Sequence, residues 1–282
     1  MKFLASFILV FFCFSSLKAQ VVIEEVSLMN RLHYRVVTAN ATYFIDRYSG
    51  GISEMFDEDG NDWIQWKRLD EEKYPDSAAG DYRGIPNLVF GGDDNGIGHP
   101  GFDKCMSFME GLNRIRVRSM NGKWEFLYVF HPKHAELQII KTPEFNRNYW
   151  FLYEGVPGGE YNPEKTYWGT NTGLKTTKPD FYKGEEEYSN WDWVFLGNEN
   201  SDRVIYFVQK GKDNVTETFG FLGNSSKGIK SENGMVVFGF GRGKEATPLI
   251  NGNNIFYFGF YHNPVDEKAF PKFQRFIQKT FY

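Results

Sequence analysis

From His33 to Tyr261 no long stretch of this chain sustains an apolar period of 3.6; short alternating or continuous apolar runs recur instead between clusters of Gly, Asn and Asp. Such runs suit strands, whose side chains alternate between two faces. The runs fall at His33–Val37, Thr42–Asp46, Gly51–Asp57, Arg114–Ser119, Trp124–His131, Ala135–Lys141, Tyr149–Glu154, Trp193–Gly197, Arg203–Gln209, Gly234–Gly239 and Asn254–Tyr261. Asp59-Gly60, Asn121-Gly122, Asn233-Gly234 and Asn251-Gly252 supply hairpin turns between them. The pattern predicts an all-β protein, a large antiparallel β-sandwich with few short helices. One helix is expected at Val265–Thr280, after Pro264, capping one end of the sheets. Aromatic residues make up 18% of the chain, which suits pleated, half-buried surfaces and also supplies flat faces for sugar rings.

The first residues read as an export signal. Lys2 precedes the apolar run Phe3–Phe12, and Ala19 before Gln20 offers a small residue for cleavage. The run is shorter than the roughly 20 apolar residues that span a bilayer. A signal peptide over residues 1–19 and one domain over residues 20–282 are therefore expected, with the mature chain secreted or periplasmic. Cys13 follows Phe11-Phe12 rather than small residues, which argues against a lipid anchor, and its removal leaves Cys105 with no partner for a disulfide. The net charge of −4 becomes about −6 without Lys2 and Lys18, which argues against nucleic acid or an anionic membrane as partner.

Two stretches resemble a known family. Ala41–Ile64 runs strand, Gly50-Gly51 turn, strand and Asp59-Gly60 turn, like the opening hairpins of galactose mutarotase-like super-sandwich domains. Trp124–Lys141, an aromatic strand leading through His131-Pro132-Lys133-His134 into Ala135–Ile140, is similar to the paired central strands of the same fold. The resemblance implies a carbohydrate substrate without fixing the reaction, because aldose epimerases, polysaccharide lyases and supporting domains of glycoside hydrolases share the fold. Arg, Tyr and His in the loops resemble lyase sites. The leading expectation is a polysaccharide lyase cleaving an acidic, uronate-containing glycan by β-elimination. A sugar epimerase or glycoside hydrolase on the same fold, or a non-catalytic glycan-binding protein, stands beside it.

β-Elimination needs a base for the C5 proton and donors that neutralise the carboxylate. The Gly-rich segment Asp81–Gly101 offers Arg83 and Asn87 as donors and His99 as base or second neutraliser; the plain alternative is a solvated turn. Asp93, Asp94 and Asn95 form a weak Ca²⁺ candidate without EF-hand spacing, and no other cofactor is expected. His131, at the end of an aromatic strand, is expected to act as acid, base or carboxylate partner, the plain alternative being a hairpin-tip residue. In Tyr149–Gly159, alternation puts Tyr149, Phe151 and Tyr153 on one face and Trp150, Leu152 and Glu154 on the other. If the first face lines the cleft, Tyr153 protonates the leaving oxygen; if the second does, Glu154 is the group of interest. Trp168 and Trp191 are expected to stack on sugar, unless they are core, and Arg242 in Phe238–Gly243 to clamp a carboxylate or sulfate. No G-x-S-x-G elbow is present, and Cys105 has no nucleophile motif.

Overall fold

A computed structural model describes residues 21–68, 79–89, 91–143, 150–175, 186–188, 191–211, 213–223, 231, 233–242 and 249–282. The expected signal peptide and Tyr149 lie outside the described residues. Seventeen strands, two α-helices and a short 3₁₀ turn at Pro157–Gly159 are present among the described residues. Four strands open the chain as a meander: β1 (Val22–Leu28), β2 (Arg31–Val37), β3 (Ala41–Asp46) and β4 (Ile52–Asp57). The short helix α1 (Ala79–Tyr82) follows. Next come β5 (Cys105–Met109), β6 (Arg114–Ser119), β7 (Glu125–Phe130), β8 (Ala135–Lys141) and β9 (Phe151–Gly155). The remaining strands are β10 (Thr166–Thr170), β11 (Gly173–Lys175), β12 (Glu186–Tyr188), β13 (Trp193–Asn198), β14 (Arg203–Gln209), β15 (Glu217–Leu222), β16 (Met235–Phe240) and β17 (Ile255–His262). Helix α2 (Phe270–Phe281) ends the chain.

One wall of the sandwich is a continuous antiparallel sheet ordered β11-β10-β13-β14-β17-β8-β7-β6-β5. The other is built from two four-stranded sheets, β1-β2-β3-β4 and β12-β15-β16-β9. Residues 84–88 join these two halves. Ile85 pairs with Ile52 on one side, while Gly84 exchanges both backbone hydrogen bonds with Glu154 on the other, at 2.7 and 3.0 Å. Leu152 N donates to Pro86 O at 2.7 Å and Trp150 N to Leu88 O at 3.2 Å, so the segment runs as a short extra strand beside β9. The composite wall thus reads β1-β2-β3-β4, seam, β9-β16-β15-β12.

Aromatic side chains from the two walls meet in the core. Tyr43 packs on Phe130 at 5.2 Å between ring centroids, Phe151 on Phe256 at 4.7 Å, Tyr153 on Phe207 at 5.0 Å and Trp168 on Phe219 at 4.3 Å. Each contact is a large apolar burial of roughly 1.5–3 kcal/mol per side chain. The outer face of the continuous wall is apolar as well, because Trp193, Phe195, Val204, Tyr206 and Val208 point outward there. Helix α2 covers it, burying Phe273 and Ile277.

The all-β sandwich expected from the alternation is present. Two expectations are corrected. The C-terminal helix starts at Phe270, with Pro271 in its first turn, and lies across a sheet face instead of capping an end, because that face is too apolar to leave in water. Residues 68–103 and 157–190, which carry no clear strand character in the sequence and are expected as long loops, contain the seam and strands β10, β11 and β12.

Candidate functional site

The seam and β9 decide which side chains reach the outer face of the composite wall. Phe151 and Tyr153 point into the core, so period-two alternation turns Trp150, Leu152 and Glu154 outward. Tyr153 is wholly buried, and its hydroxyl donates to Trp63 O at 2.7 Å. Beside Glu154, Asn87 sits in the left-handed region, with φ of +42°, which Asn tolerates better than most residues. That conformation aims its amide at β9: Asn87 Nδ2 donates to Glu154 Oε2 and to Tyr82 O, the latter at 3.1 Å. Its backbone oxygen accepts from Trp150 Nε1 at 2.8 Å, fixing the indole beside the carboxylate.

Arg242 follows β16 and lies over Trp150, its guanidinium carbon 5.9 Å from the ring centroid. Gly239 permits this approach, since a Cβ there would stand 2.3 Å from Leu152 Cδ2 and 3.0 Å from Arg242 Cβ. His99 enters from the glycine-rich loop. It is buried between Tyr82 and Phe102, edge to face, with ring centroids 5.8 and 4.9 Å away. Its Nδ1 is 2.9 Å from Pro100 O, whereas Nε2 has no hydrogen-bond partner. Burial holds its pKa below the usual histidine value, outweighing the raising effect of the Pro100 carbonyl and Asp81. The imidazole is therefore neutral near pH 7. With Nδ1–H donated to Pro100 O, Nε2 carries the lone pair, buried and with the Tyr82 carbonyl beside the ring.

Asn87, His99, Glu154 and Arg242 line one cavity of about 330 Å³ together with Tyr82, Trp150, Leu152 and Met235. Four residues singled out in the sequence thus share one site. Glu154 and His99 are both held from behind by hydrogen bonds, which is the arrangement that proton transfer to a bound ligand requires.

The other predicted site residues lie elsewhere. Arg83 is buried and donates to Gly234 O at 2.7 Å and Gln65 O at 3.1 Å; burial lowers its pKa to about 10. It ties the turn before β16 to the seam. Trp168 stacks on Phe219 within the core, and Trp191 stacks on Phe238 at 5.7 Å. His131 belongs to the continuous wall, where it stacks on His134 at 4.4 Å and meets Glu136 Oε2 at 3.2 Å. In the weak Ca²⁺ segment, Asp94 Oδ1 accepts from Asn121 Nδ2 at 2.7 Å and Asn95 Oδ1 from Gly91 N at 2.8 Å. No group of three or more His, Cys, Asp or Glu among the described residues is disposed to hold a metal ion. Tyr82, Trp150 and Met235 were not singled out as ligand-facing. Only Trp150 carried a signal, its shared parity with Glu154.

No protein-family model matches the sequence, and no curated protein matches it. Solved structures do. The crystal structure of HI1317 superposes with a TM-score of 0.53 at 10% identity, covering 87% of this chain and 100% of that one. The all-β fold of this chain fits a galactose mutarotase-like super-sandwich. A putative mutarotase, YeaD from Salmonella typhimurium, gives a TM-score of 0.48 at 10% identity over 86% of this chain and 94% of its own. A galactose mutarotase related enzyme from Lactobacillus acidophilus gives 0.49 at 10% identity over 83% and 99%. These likenesses concern the fold. No helix among the described residues is long and apolar enough to cross a membrane.

Proposed function

We propose that the protein is an exported carbohydrate-active enzyme whose site is the seam cavity, and that Glu154 and His99 form an acid–base pair exchanging the anomers of a sugar. The observation that carries this is the convergence of a braced carboxyl group and a neutral, braced imidazole on one cavity of about 330 Å³. That volume lies at the small end of the roughly 300–1,000 Å³ of small-molecule sites and suits one sugar residue. In the proposed step His99 Nε2 takes the proton of the anomeric hydroxyl. The C1–O1 bond becomes a carbonyl as the ring C1–O5 bond breaks, and the protonated Glu154 carboxyl gives its proton to O5. Rotation about C1–C2 and the reverse transfers deliver the other anomer and restore both groups. Trp150 supplies an apolar face for the ring.

β-Elimination of a uronate is the second reading, favoured by Arg242 over Trp150, where a guanidinium would pair with a carboxylate. Two observations weigh against it. Both Nδ2 hydrogens of Asn87 are spent on Glu154 and Tyr82, leaving no amide donor for the substrate, and the Tyr153 hydroxyl is held by Trp63.

One experiment separates the readings. Anomer interconversion of D-galactose and D-glucose is followed by NMR exchange, and a panel of uronate polysaccharides by the ultraviolet absorbance of unsaturated uronate. Accelerated interconversion lost in His99→Asn supports the epimerase; absorbance without interconversion replaces it with the lyase. Sugar binding with neither product leaves a glycan-binding protein. Export rests on residues 1–19 and is checked by cell fractionation and the mature N-terminus.

A further inference from the structure

Outside the seam cavity, the turns of the composite wall dock on one end of the continuous wall. Ala39 N donates to Pro132 O at 2.9 Å, and Asn40 Nδ2 donates to Lys133 O at 3.3 Å and Phe260 O at 3.2 Å. A second cavity of about 330 Å³ opens at this junction, lined among others by Asn40, Lys133, Arg203, Tyr261, His262 and Phe276.

Arg203 is the unusual group in it. Its side chain is 5% exposed, and Nη2 lies 3.2 Å from Glu58 Oε2 and 3.1 Å from Asp59 Oδ2. Nη1 donates to His262 Nδ1, while Nε is buried with no hydrogen-bond partner. Asn40 Oδ1 is likewise buried and without a partner. One orphaned donor and one orphaned acceptor therefore belong to residues that line the same cavity, and each costs free energy until a partner satisfies it.

We propose that this cavity is a second ligand site that takes a neutral sugar residue. A hydroxyl is the common group that accepts from Arg203 Nε and donates to Asn40 Oδ1. The rings of Tyr261 and Phe276 offer apolar faces for the C–H side of a pyranose. An anion fits less well. Two of the three guanidinium nitrogens are already engaged, so no bidentate pairing remains, and the Glu58 and Asp59 carboxylates stand at the same arginine. The site does not depend on the chemistry proposed at the seam, and a sugar held here would tether a longer glycan to the enzyme.

Methyl α-D-galactopyranoside and methyl β-D-glucopyranoside, whose anomeric centres are locked, test this as pure binding probes on the full chain. The expected result is a saturable NMR shift of the Arg203 Nε–H and Asn40 side-chain amide signals. Ala39→Trp, at an exposed position on the cavity mouth, should weaken that binding about tenfold or more while leaving seam-site turnover unchanged; Tyr261→Leu should weaken it by removing a stacking face. The proposal is overturned if neither glycoside moves these signals, if the shifts persist unweakened in both variants, or if sodium sulfate moves them and the glycosides do not.

Discussion

The two walls of the sandwich solve the same problem differently. In the continuous wall every strand finds a strand on its flank, and the apolar outer face of β13 and β14 is roofed by α2. Polar chemistry has little room there. The composite wall is interrupted between β4 and β9, where residues 84–88 complete the hydrogen bonding without forming a full strand. Such a segment can hold Asn87 at positive φ and spend its amide on Glu154, which a regular strand could not do. One wall contributes stability; the break in the other positions polar groups beside a cavity.

Substitutions should expose that division. At the seam, Glu154→Gln keeps the shape and removes the carboxyl proposed to transfer a proton, so turnover should fall about 10³-fold, equivalent to about 4 kcal/mol, with the thermal midpoint unchanged. Kinetics and a melting curve on the same sample check this. On the other wall, Phe273→Ala empties a buried position between α2 and the rings of Trp193 and Phe195. It should cost about 3 kcal/mol in denaturant unfolding and leave turnover per folded molecule intact. Tyr153→Phe tests the core face of β9 itself. Loss of the hydrogen bond to Trp63 O should cost about 1 kcal/mol of stability, with normal turnover.

A further effect is a pH dependence. Burial, reinforced by Asp213, raises Glu217 at the start of β15 to about 8. A carboxyl with a raised folded-state pKa holds its proton more tightly folded than unfolded, so its stabilising contribution is complete below its unfolded value and is lost as pH rises through about 8. Glu217→Gln should remove that part of the stability loss between pH 5 and 8. Unfolding curves of the two proteins that stay parallel across this range would contradict the assignment.

Much of the fold was legible because strand alternation in aromatic runs survives without tertiary context. Arg114–Ser119, Ala135–Lys141 and Arg203–Gln209 match the observed strands residue for residue. Some strands were passed over. β1 contains Glu24 and Glu25 and is largely exposed, while β15 buries Glu217 and Thr218 among its aromatics. The seam was invisible for another reason: Gly84 and Pro86 are loop residues by local preference, and only pairing with Ile52 and β9 makes them extended. For the site, alternation put Glu154 opposite Tyr153 but could not tell which face was wet, since both faces of β9 carry aromatics. Arg83 and Trp168 illustrate the limit, because a buried guanidinium bonded to carbonyls and an indole stacked in a core have the same sequence signature as ligand-binding groups.

The proposed sugar site is tested most directly by the indole N–H signals of the tryptophans during titration with D-galactose or D-glucose. Trp150, whose Nε1–H donates to Asn87 O beside Glu154, should shift and saturate, while the core indoles of Trp63, Trp168 and Trp193 stay still. A shift of Trp168 or Trp193 with Trp150 unmoved would contradict the seam cavity as the place where sugar binds.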